Sequence, residues 1–350
     1  MKGRIAVLDR IDGRAAAALI VDGRLEDLLI DPPGEDRPRP GAIYRARTDR
    51  PVKGQNGIML KLGNGQMGFL RQAKGIAAGL GMLVQVSSQA EDGKAAPVTT
   101  RLLFKGRYAI VTPGARGLNV ARSIRDEDER NRLMEIAHDV MDTAPDGIGL
   151  ILRSVAAETD EDAIREELET LLATCVSIMA EPVDTDPQLL LDAPEADYLA
   201  WREWTDPEPD QVYEQEGSFE DHGVWDLIEG LRQPYVKLSE HASMYIEPTR
   251  ALVAIDVNTG GDFSFSAGLK ANLATARDLP RQLRLRGLGG QIVIDFAPMG
   301  KKDRLSVEQA LKRALKSDGV ETTVVGWTPL GHLELQRKRE RLLLETLLPE

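Results

Sequence analysis

Short blocks of apolar residues separated by turns fill the first hundred residues, which is typical of β-strands. Residues 4–8 and 15–30 are apolar stretches interrupted at Asp12-Gly13 and Asp22-Gly23, so we predict a hairpin or a small meander. Further strand-like runs, separated by glycine-rich turns, cover residues 42–47, 57–62, 67–70, 82–87 and 98–104. This many short strands within so few residues fit a small Greek-key barrel of the OB type.

Helical periodicity begins in the middle of the chain. Apolar positions three and four residues apart predict one helix from near Asp126 toward Met141 and another over residues 160–172. Strand patterns cover residues 108–111 and 148–154. Residues 181–222 are rich in Pro, Asp and Glu and weakly periodic, so we expect part linker and part peripheral helix there.

The last hundred residues alternate strand and helix patterns. Residues 251–258 and 291–296 are apolar runs of the buried-strand type, and a helical stretch over about 269–286 joins them. A helix pattern over 305–315, a strand pattern over 320–325 and a charged segment over 333–348 follow. This order predicts an α/β domain with a partly parallel sheet. Pro280 predicts a kink or a restart of the joining helix.

Charge is distributed unevenly along the chain, whose formal net charge is −12. Residues 1–125 carry 21 Lys and Arg against 11 Asp and Glu, residues 126–250 carry 8 against 33, and residues 251–350 carry 15 against 12. A polyanion would therefore be attracted to the first and last segments. The acidic middle is consistent with a solvated surface.

Composition limits the cellular setting and the kinds of metal site. The longest apolar run, residues 15–21, is far shorter than a membrane span, and the N-terminus lacks the apolar region of a secretory signal. The single cysteine, Cys175, excludes an internal disulfide and a multi-cysteine zinc site within one chain. We therefore expect a cytoplasmic protein without membrane partners.

Two aspartates occupy equivalent positions near the ends of the buried-type strands. Asp256 and Asp295 would lie close together if a crossover helix leaves their strands parallel and adjacent. Two such carboxylates suit Mg²⁺, and Asn258 would point to the same face as Asp256. The alternative at this stage is that each aspartate caps a helix or forms a surface ion pair.

Basic and aromatic residues suggest contacts with nucleic acid. Arg281, Arg284 and Arg286 are candidates for binding backbone phosphates. In the barrel segment, Phe69 is a candidate for base stacking and Lys94 for a phosphate contact. The sequence gives His241 and His332 no paired acid at a telling spacing, so we expect structural roles for these histidines.

Several ordered blocks resemble a known family. They are ALVAIDVNTG at 251–260, RQLRLR at 281–286, LGG at 288–290, IVIDF at 292–296, and GHLE followed by RKR at 331–339. These blocks resemble the bacterial ribonuclease E/G family, with the ribonuclease G-like branch nearest. GLILRS at 149–154 is similar to the segment that reads a 5′-terminal phosphate in that family.

The resemblance implies an endoribonuclease that depends on Mg²⁺, with Mn²⁺ as a substitute, and cuts single-stranded RNA during processing or decay to leave a 5′ monophosphate. Asp256 and Asp295 would hold the metal, and Asn258 would position the hydrated metal or the attacking water. Arg153 would contact the terminal phosphate, with Ser154 in place of a threonine.

The implied fold is an α/β chain of several subdomains, with a barrel inserted near the N-terminus. Its divisions are N-terminal strands of an RNase H-like part at 1–40, an S1-like OB fold at 41–105, a 5′-sensor-like α/β subdomain at 106–182, a reduced RNase H-like or linker region at 183–240, and a DNase I-like catalytic domain at 241–350.

Some features depart from the family pattern. The paired-cysteine zinc link that joins family protomers does not follow the last block, so we expect no zinc and, where copies associate, a homodimer without that link. Glu321 replaces a basic residue that helps the phosphate pocket, and Ala297-Pro298 replaces an acid-containing segment after Asp295. A catalytically weak RNA-binding or regulatory paralogue is therefore the alternative, and a nuclease acting on DNA is a third hypothesis.

Overall fold

The computed structural model describes residues 3–34, 37–73, 75–90, 93–264 and 266–349. The chain divides into two compact units, one formed by Met1–Pro33 with Asp210–Glu350 and the other by Gly34–Pro209. Among the described helices, none combines the length and the apolar character needed to cross a bilayer.

The N-terminal meander consists of strands β1 (Arg4–Ile11), β2 (Arg14–Val21) and β3 (Arg24–Ile30). Consecutive strands pair in antiparallel fashion, as predicted. Both residues of the Asp12-Gly13 turn have positive φ, 50° and 80°, as a tight hairpin with the right-handed twist of its strands requires.

The second unit begins with the barrel strands, which are β4 (Ile43–Val52), β5 (Gly57–Gly63), β6 (Gln66–Arg71), β7 (Gly81–Val86) and β8 (Ala96–Thr99). They follow the order β4-β5-β6-β8-β7, and β7 also pairs with β4, which closes the sheet. The interior is apolar, with Leu60, Leu62 and Val84 fully buried. The predicted barrel is confirmed, and its strand order is consistent with the OB type.

An α/β layer follows the barrel. Its elements are β9 (Phe104–Lys105), β10 (Ala109–Pro113), β11 (Gly117–Val120), α1 (Glu127–Met141), β12 (Ile148–Leu152) and α2 (Glu161–Met179). The strand order is β11-β12-β10-β9, and the apolar faces of both helices join the core of this sheet. The prediction of a single strand over 98–104 is wrong. Residues up to Thr99 belong to β8 of the barrel, whereas Phe104 belongs to β9 of this sheet.

Both helices of this layer begin where the sequence indicates. Asp126 accepts a hydrogen bond from the backbone N–H of Glu129, and Asp160 does so from Asp162, so each aspartate caps its helix. The unit ends with β13 (Gln188–Leu191), which pairs with β4, and helix α3 (Ala196–Glu203).

The chain then returns to the first unit through β14 (Gln211–Tyr213), which pairs in parallel with β1. Helices α4 (Ser218–Asp221) and α5 (Val224–Arg232) follow. Phe219, Val224 and Ile228 are buried in the core of the meander. Residues distant in sequence therefore share one core here.

The last part of the chain forms an α/β sheet. Its elements are β15 (Tyr235–Lys237), β16 (Ser243–Pro248), β17 (Val253–Asn258), α6 (Ala267–Leu285), β18 (Gly290–Asp295), α7 (Lys301–Asp318), β19 (Thr322–Trp327) and β20 (Leu333–Arg337). The strand order is β15-β16-β17-β18-β20-β19, with β17 and β18 parallel.

Two sequence expectations need correction in this sheet. Residues 333–337, expected only as part of a charged segment, form the strand between β18 and β19, because buried Leu333 and Leu335 alternate with exposed Glu334. Helix α6 continues through buried Pro280, so the predicted restart is wrong, while a kink there stays a prediction.

The two faces of this sheet differ. Ile255, Val257, Ile292 and Ile294 point toward α6 and α7 and are at most 4% exposed. The alternate residues of the same strands point the other way, because successive side chains of a strand face opposite sides. This second face, which we call the open face, carries the candidate catalytic residues.

Candidate active site

The carboxyl ends of β17 and β18 bring together the two aspartates singled out in the sequence. Asp256 lies directly opposite Asp295 in the parallel pairing of these strands. Both are exposed on the open face, while their neighbours Ile255 and Ile294 are buried beneath them. Residues paired in register on adjacent strands lie about 5 Å apart, so the carboxylates project side by side.

Polar neighbours flank each aspartate. The Asn258 amide donates a hydrogen bond from Nδ2 to Oδ2 of Asp256 at 2.7 Å, as expected for residues two apart on one strand. On the other side, Nε2 of His332 lies 3.8 Å from Oδ1 of Asp295. No acidic partner of His332 was evident from its spacing in the sequence, and the structure shows Asp295 in that position.

A buried amide fixes the backbone just beyond Asp295. Asn272, on α6, is fully buried; its Nδ2 donates to the carbonyl of Ala297 at 2.9 Å, and its Oδ1 accepts from the Ala297 N–H at 3.0 Å. Gly268 of the same helix approaches the Pro298 carbonyl so closely that a Cβ would lie 2.2 Å from it. The segment after Asp295 is thus held by α6.

The open face is acidic. Besides Asp256 and Asp295, exposed Glu247 lies on β16 opposite Ala254, and exposed Glu334 lies on β20 opposite Val293. Carboxylates gathered on one surface repel one another and any phosphate group. A cation at this surface would relieve both repulsions.

The donor set at Asp256 and Asp295 fits a hard divalent cation. Mg²⁺ takes oxygen ligands and is commonly held by one or two carboxylates while retaining water. Within the described ranges, clusters of three or more His, Cys, Asp or Glu side chains able to hold a metal are absent. Asp256 and Asp295, paired in register, are the candidate ligands for such an ion at this face.

The three arginines predicted to contact RNA lie within the fold. Arg281 pairs with Asp278 at 2.8 Å and donates to the carbonyl of Leu25. Arg286 is 8% exposed and donates to the carbonyls of Leu231 and Gln233. Burial lowers the pKa of Arg286 to about 10, and the charge of Arg281 adds to this lowering.

Arg284 belongs to a buried ion-pair network. Its guanidinium pairs with Asp318 at the end of α7 and with Asp27 on β3. Asp318 also pairs with Arg337 at 2.6 Å, and both side chains are 1% exposed. These contacts give Arg281, Arg284 and Arg286 structural roles that join β3, α5, α6 and α7, and their contact with RNA stays a prediction that this geometry does not favour.

The barrel places its two predicted residues on its outer side. Phe69 is half-buried because its ring covers Gly57, where a Cβ would lie 2.4 Å from the ring. Phe69 is opposite Pro97 of β8, and exposed Lys94 lies three residues before Pro97. An aromatic ring and an ammonium group thus lie on one part of the barrel.

The predicted phosphate-reading arginine is already paired with a carboxylate. Nη2 of Arg153 lies 2.7 Å from Oε2 of Glu203, and Nη1 donates to the carbonyl of Gly106 at 2.8 Å. Arg202 also donates to Glu203, at 2.7 Å. Ser154 is exposed at the start of a short 3₁₀ turn.

Glu203 is stabilised as an anion in this position. Burial acts to raise the pKa of Glu203, but the charges of Arg202 and Arg153 and their hydrogen bonds outweigh burial and hold the pKa below its usual value. The carboxylate therefore stays charged at neutral pH. It accepts a hydrogen bond from Nη2 of Arg153, so that nitrogen is already engaged.

Comparison with known protein families gives a match over most of the chain. The model of the ribonuclease E/G family matches residues 104–215 and 205–340. The chain belongs to the ribonuclease E/G family. Its matched part includes Arg153, Asp256, Asn258 and Asp295.

Individual relatives give the extent of the similarity. Ribonuclease E of Synechocystis sp. is 31% identical over 298 residues, covering 74% of this chain and 44% of the relative. Ribonuclease E of Nostoc sp. is 32% identical, covering 74% and 43%. Ribonuclease G of Escherichia coli is 27% identical over 367 residues, covering 88% and 74%. The chain thus spans less than half the length of these two ribonucleases E.

Sequence reasoning missed residues whose partners are distant along the chain. Glu203 lies 50 residues after Arg153, and no local pattern connects them. His332 lies 37 residues after Asp295 and becomes its neighbour only because β20 inserts beside β18. A correct prediction of strand β20 from the alternation of Leu333, Glu334 and Leu335 would have revealed His332.

Proposed function

We propose that this member of the ribonuclease E/G family is a Mg²⁺-dependent endoribonuclease that cleaves single-stranded RNA in cytoplasmic RNA processing or decay. The observation that carries the proposal is the side-by-side position of Asp256 and Asp295 on the open face, with the Asn258 amide bonded to Asp256. This arrangement of acidic oxygens and one amide suits hydrolysis of a phosphodiester.

The proposed reaction is a hydrolysis. The oxygen of water bonds to phosphorus and the P–O3′ bond breaks, so that the 3′ oxygen leaves with a proton and the other product carries a 5′ monophosphate. A bound Mg²⁺ would supply the positive charge that stabilises the phosphate in the transition state and lowers the pKa of water. Asp256 and Asp295 would hold this ion, and Asn258 would orient the Asp256 carboxylate.

RNA would be guided by several parts of the chain. Phe69 and Lys94 would bind a base and a phosphate at the barrel. Lys301 and Lys302, exposed at the start of α7 just beyond β18, are better placed than the buried arginines to meet a backbone phosphate. We therefore assign RNA contact to these lysines and structural roles to Arg281, Arg284 and Arg286.

The proposed subdomains follow the resemblance. We retain an S1-like OB fold at 41–105, a 5′-sensor-like subdomain at 106–182, RNase H-like parts at 1–40 and 183–240, and a DNase I-like catalytic domain at 241–350. The pairing of β14 with β1 supports an RNase H-like assembly of separate chain segments.

A cleavage assay tests the proposed function. We expect the full chain to cut a 3′-labelled, single-stranded RNA oligonucleotide in Mg²⁺ or Mn²⁺ and to leave it intact in EDTA. The same sequence as DNA or as an RNA duplex serves as the comparison. Binding without cutting across both metal titrations would support an RNA-binding paralogue, whereas faster cutting of DNA would support the third hypothesis.

Glu203→Gln is expected to restore discrimination at the RNA 5′ end. The amide lacks the charge that holds Arg153, so a 5′ phosphate would compete for the guanidinium through charge-assisted hydrogen bonds. We expect kcat/KM for 5′-monophosphate RNA over 5′-hydroxyl RNA to rise from near unity to roughly tenfold. The measurement is the cleavage rate of the two labelled oligonucleotides.

A matched control separates this effect from a general change of charge. Glu181 pairs with Arg45 of the barrel in the same unit, so Glu181→Gln removes a carboxylate that is paired with an arginine other than Arg153. We expect that variant to keep the wild-type ratio. An unchanged ratio in Glu203→Gln would show that Arg153 does not read the RNA end.

A further inference from the structure

A row of side chains crosses the open face beside the candidate active site. Tyr235 lies opposite Tyr245, Tyr245 opposite Asp256, and Asp256 opposite Asp295 on the consecutive strands β15, β16, β17 and β18. Residues in register on adjacent strands point to the same face. The two tyrosines are therefore direct neighbours of the acidic pair.

Both rings are accessible to solvent. Tyr235 is 47% exposed and Tyr245 is 38% exposed, whereas Val236 and Met244 beside them are buried in the core on the other face. The rings contact each other edge to face, with centroids 5.5 Å apart and planes at 67°. Much of the surface of both rings is exposed to solvent, and neither ring belongs to the hydrophobic core of the sheet.

The spacing of the row suits a single strand of nucleic acid. Neighbouring strands of a sheet are about 4.8 Å apart, so Tyr245 and Tyr235 lie roughly one and two such steps from Asp256. A stacked nucleic-acid strand advances about 3.4 Å per nucleotide. The tyrosines thus extend over about one to three nucleotides to one side of a phosphate held at the aspartates.

A cation accompanies the rings at this end of the row. Lys237 is exposed and lies two residues after Tyr235, so both side chains point to the open face. It lies opposite Ser243, away from Glu247 at the other end of β16. Aromatic rings with a nearby cation are the combination that binds bases and backbone of unpaired strands.

We propose that Tyr235 and Tyr245 form a stacking platform for unpaired bases next to the phosphate that is cut, with Lys237 binding the adjoining backbone. This inference rests on the proposed function and adds the residues that would recognise unpaired bases beside the cleaved phosphate. Bases in a duplex are stacked and paired with each other, so the platform selects unpaired RNA and does so with little regard to sequence.

The test compares Tyr245→Ala, Tyr235→Ala and the double variant with Tyr245→Phe in the full chain. Fluorescence anisotropy in EDTA measures the Kd for a labelled single-stranded RNA without cleavage, and kcat/KM is measured separately in Mg²⁺. Because one stacked base contributes substantially to binding, each alanine is expected to raise Kd roughly tenfold, and phenylalanine to change it less than about twofold.

Two controls address other causes of weaker binding. Val325, on the edge strand β19, is 61% exposed, and Val325→Ala is expected to leave Kd unchanged. The second control is a set of RNAs, each lacking the base at one position. When the missing base is the one that stacks on Tyr245, we expect the wild type and Tyr245→Ala to bind that RNA with equal Kd. Urea unfolding of each variant checks that the fold is intact.

The outcomes separate this inference from the proposed function. If the wild type cuts RNA and the alanine variants bind and cut as it does, the platform is refuted while the endoribonuclease stands. If the wild type binds RNA without cutting it and the alanine variants bind tenfold more weakly, the endoribonuclease is refuted while the platform stands. An abasic series without a position of equal binding would also overturn the platform.

Discussion

Asp256→Asn and Asp295→Asn are each expected to lower Mg²⁺-dependent cleavage of single-stranded RNA by at least about a hundredfold. Each substitution keeps the size of the side chain and removes one of the two adjacent negative charges that would hold the cation. A loss of several kcal/mol of transition-state stabilisation corresponds to this factor or more. Both residues are exposed, so the fold should tolerate the change.

The measurement is kcat/KM on a labelled oligonucleotide, together with the Kd for the same RNA in EDTA. We expect Kd to remain within a few fold of the wild type. Glu334→Gln is the matched control, because Glu334 is an exposed carboxylate on the same open face beside β18. Cleavage at the wild-type rate by either asparagine variant would refute the assignment of Asp256 and Asp295.

Asp318→Ala is expected to destabilise the protein by about 3–5 kcal/mol. Asp318 is 1% exposed and pairs with both Arg284 and Arg337, so its removal leaves two buried guanidinium groups without their shared partner. Burial lowers the pKa of Arg337, and the charge of Asp318 and its hydrogen bond act in the opposite direction. The measurement is the free energy of unfolding in urea.

A surface ion pair of the same unit gives the comparison. Glu229 and Arg232 on α5 are separated by 3.6 Å and both are well exposed. Glu229→Ala is therefore expected to cost less than about 1 kcal/mol. If Asp318→Ala lost no more than the Glu229 variant, the network around Arg284 would not hold the unit together as described.

The strands that carry the candidate active site were predictable because their apolar runs are long and local. Ile255 and Val257 on one strand and Ile292 and Ile294 on the other mark buried faces, and the joining helix made parallel neighbours the expected result. The alignment of Asp256 with Asp295 followed from that topology. Both strands could be predicted because their apolar residues follow one another closely along the sequence.

Charged side chains with distant partners were not predictable in this way. The spacing of Arg281, Arg284 and Arg286 is equally compatible with an RNA-binding surface and with burial. Ion pairs of Arg284 with Asp27 and Asp318, which lie in other parts of the chain, favour the buried role. The sequence shows the charge of a side chain but not the carboxylate that meets it.

The first unit is built from two segments that are far apart along the chain, and this has a consequence for folding during synthesis. Residues 1–33 leave the ribosome long before 210–350, yet β1 finds its parallel neighbour β14 only in the later segment. The continuous unit at 34–209 can fold during synthesis, as domains generally do. Apolar residues of the first strands such as Val7 and Ile20 share a core with Phe219. They stay uncovered until that later segment has been synthesised, so the order of synthesis sets the order in which the two units fold.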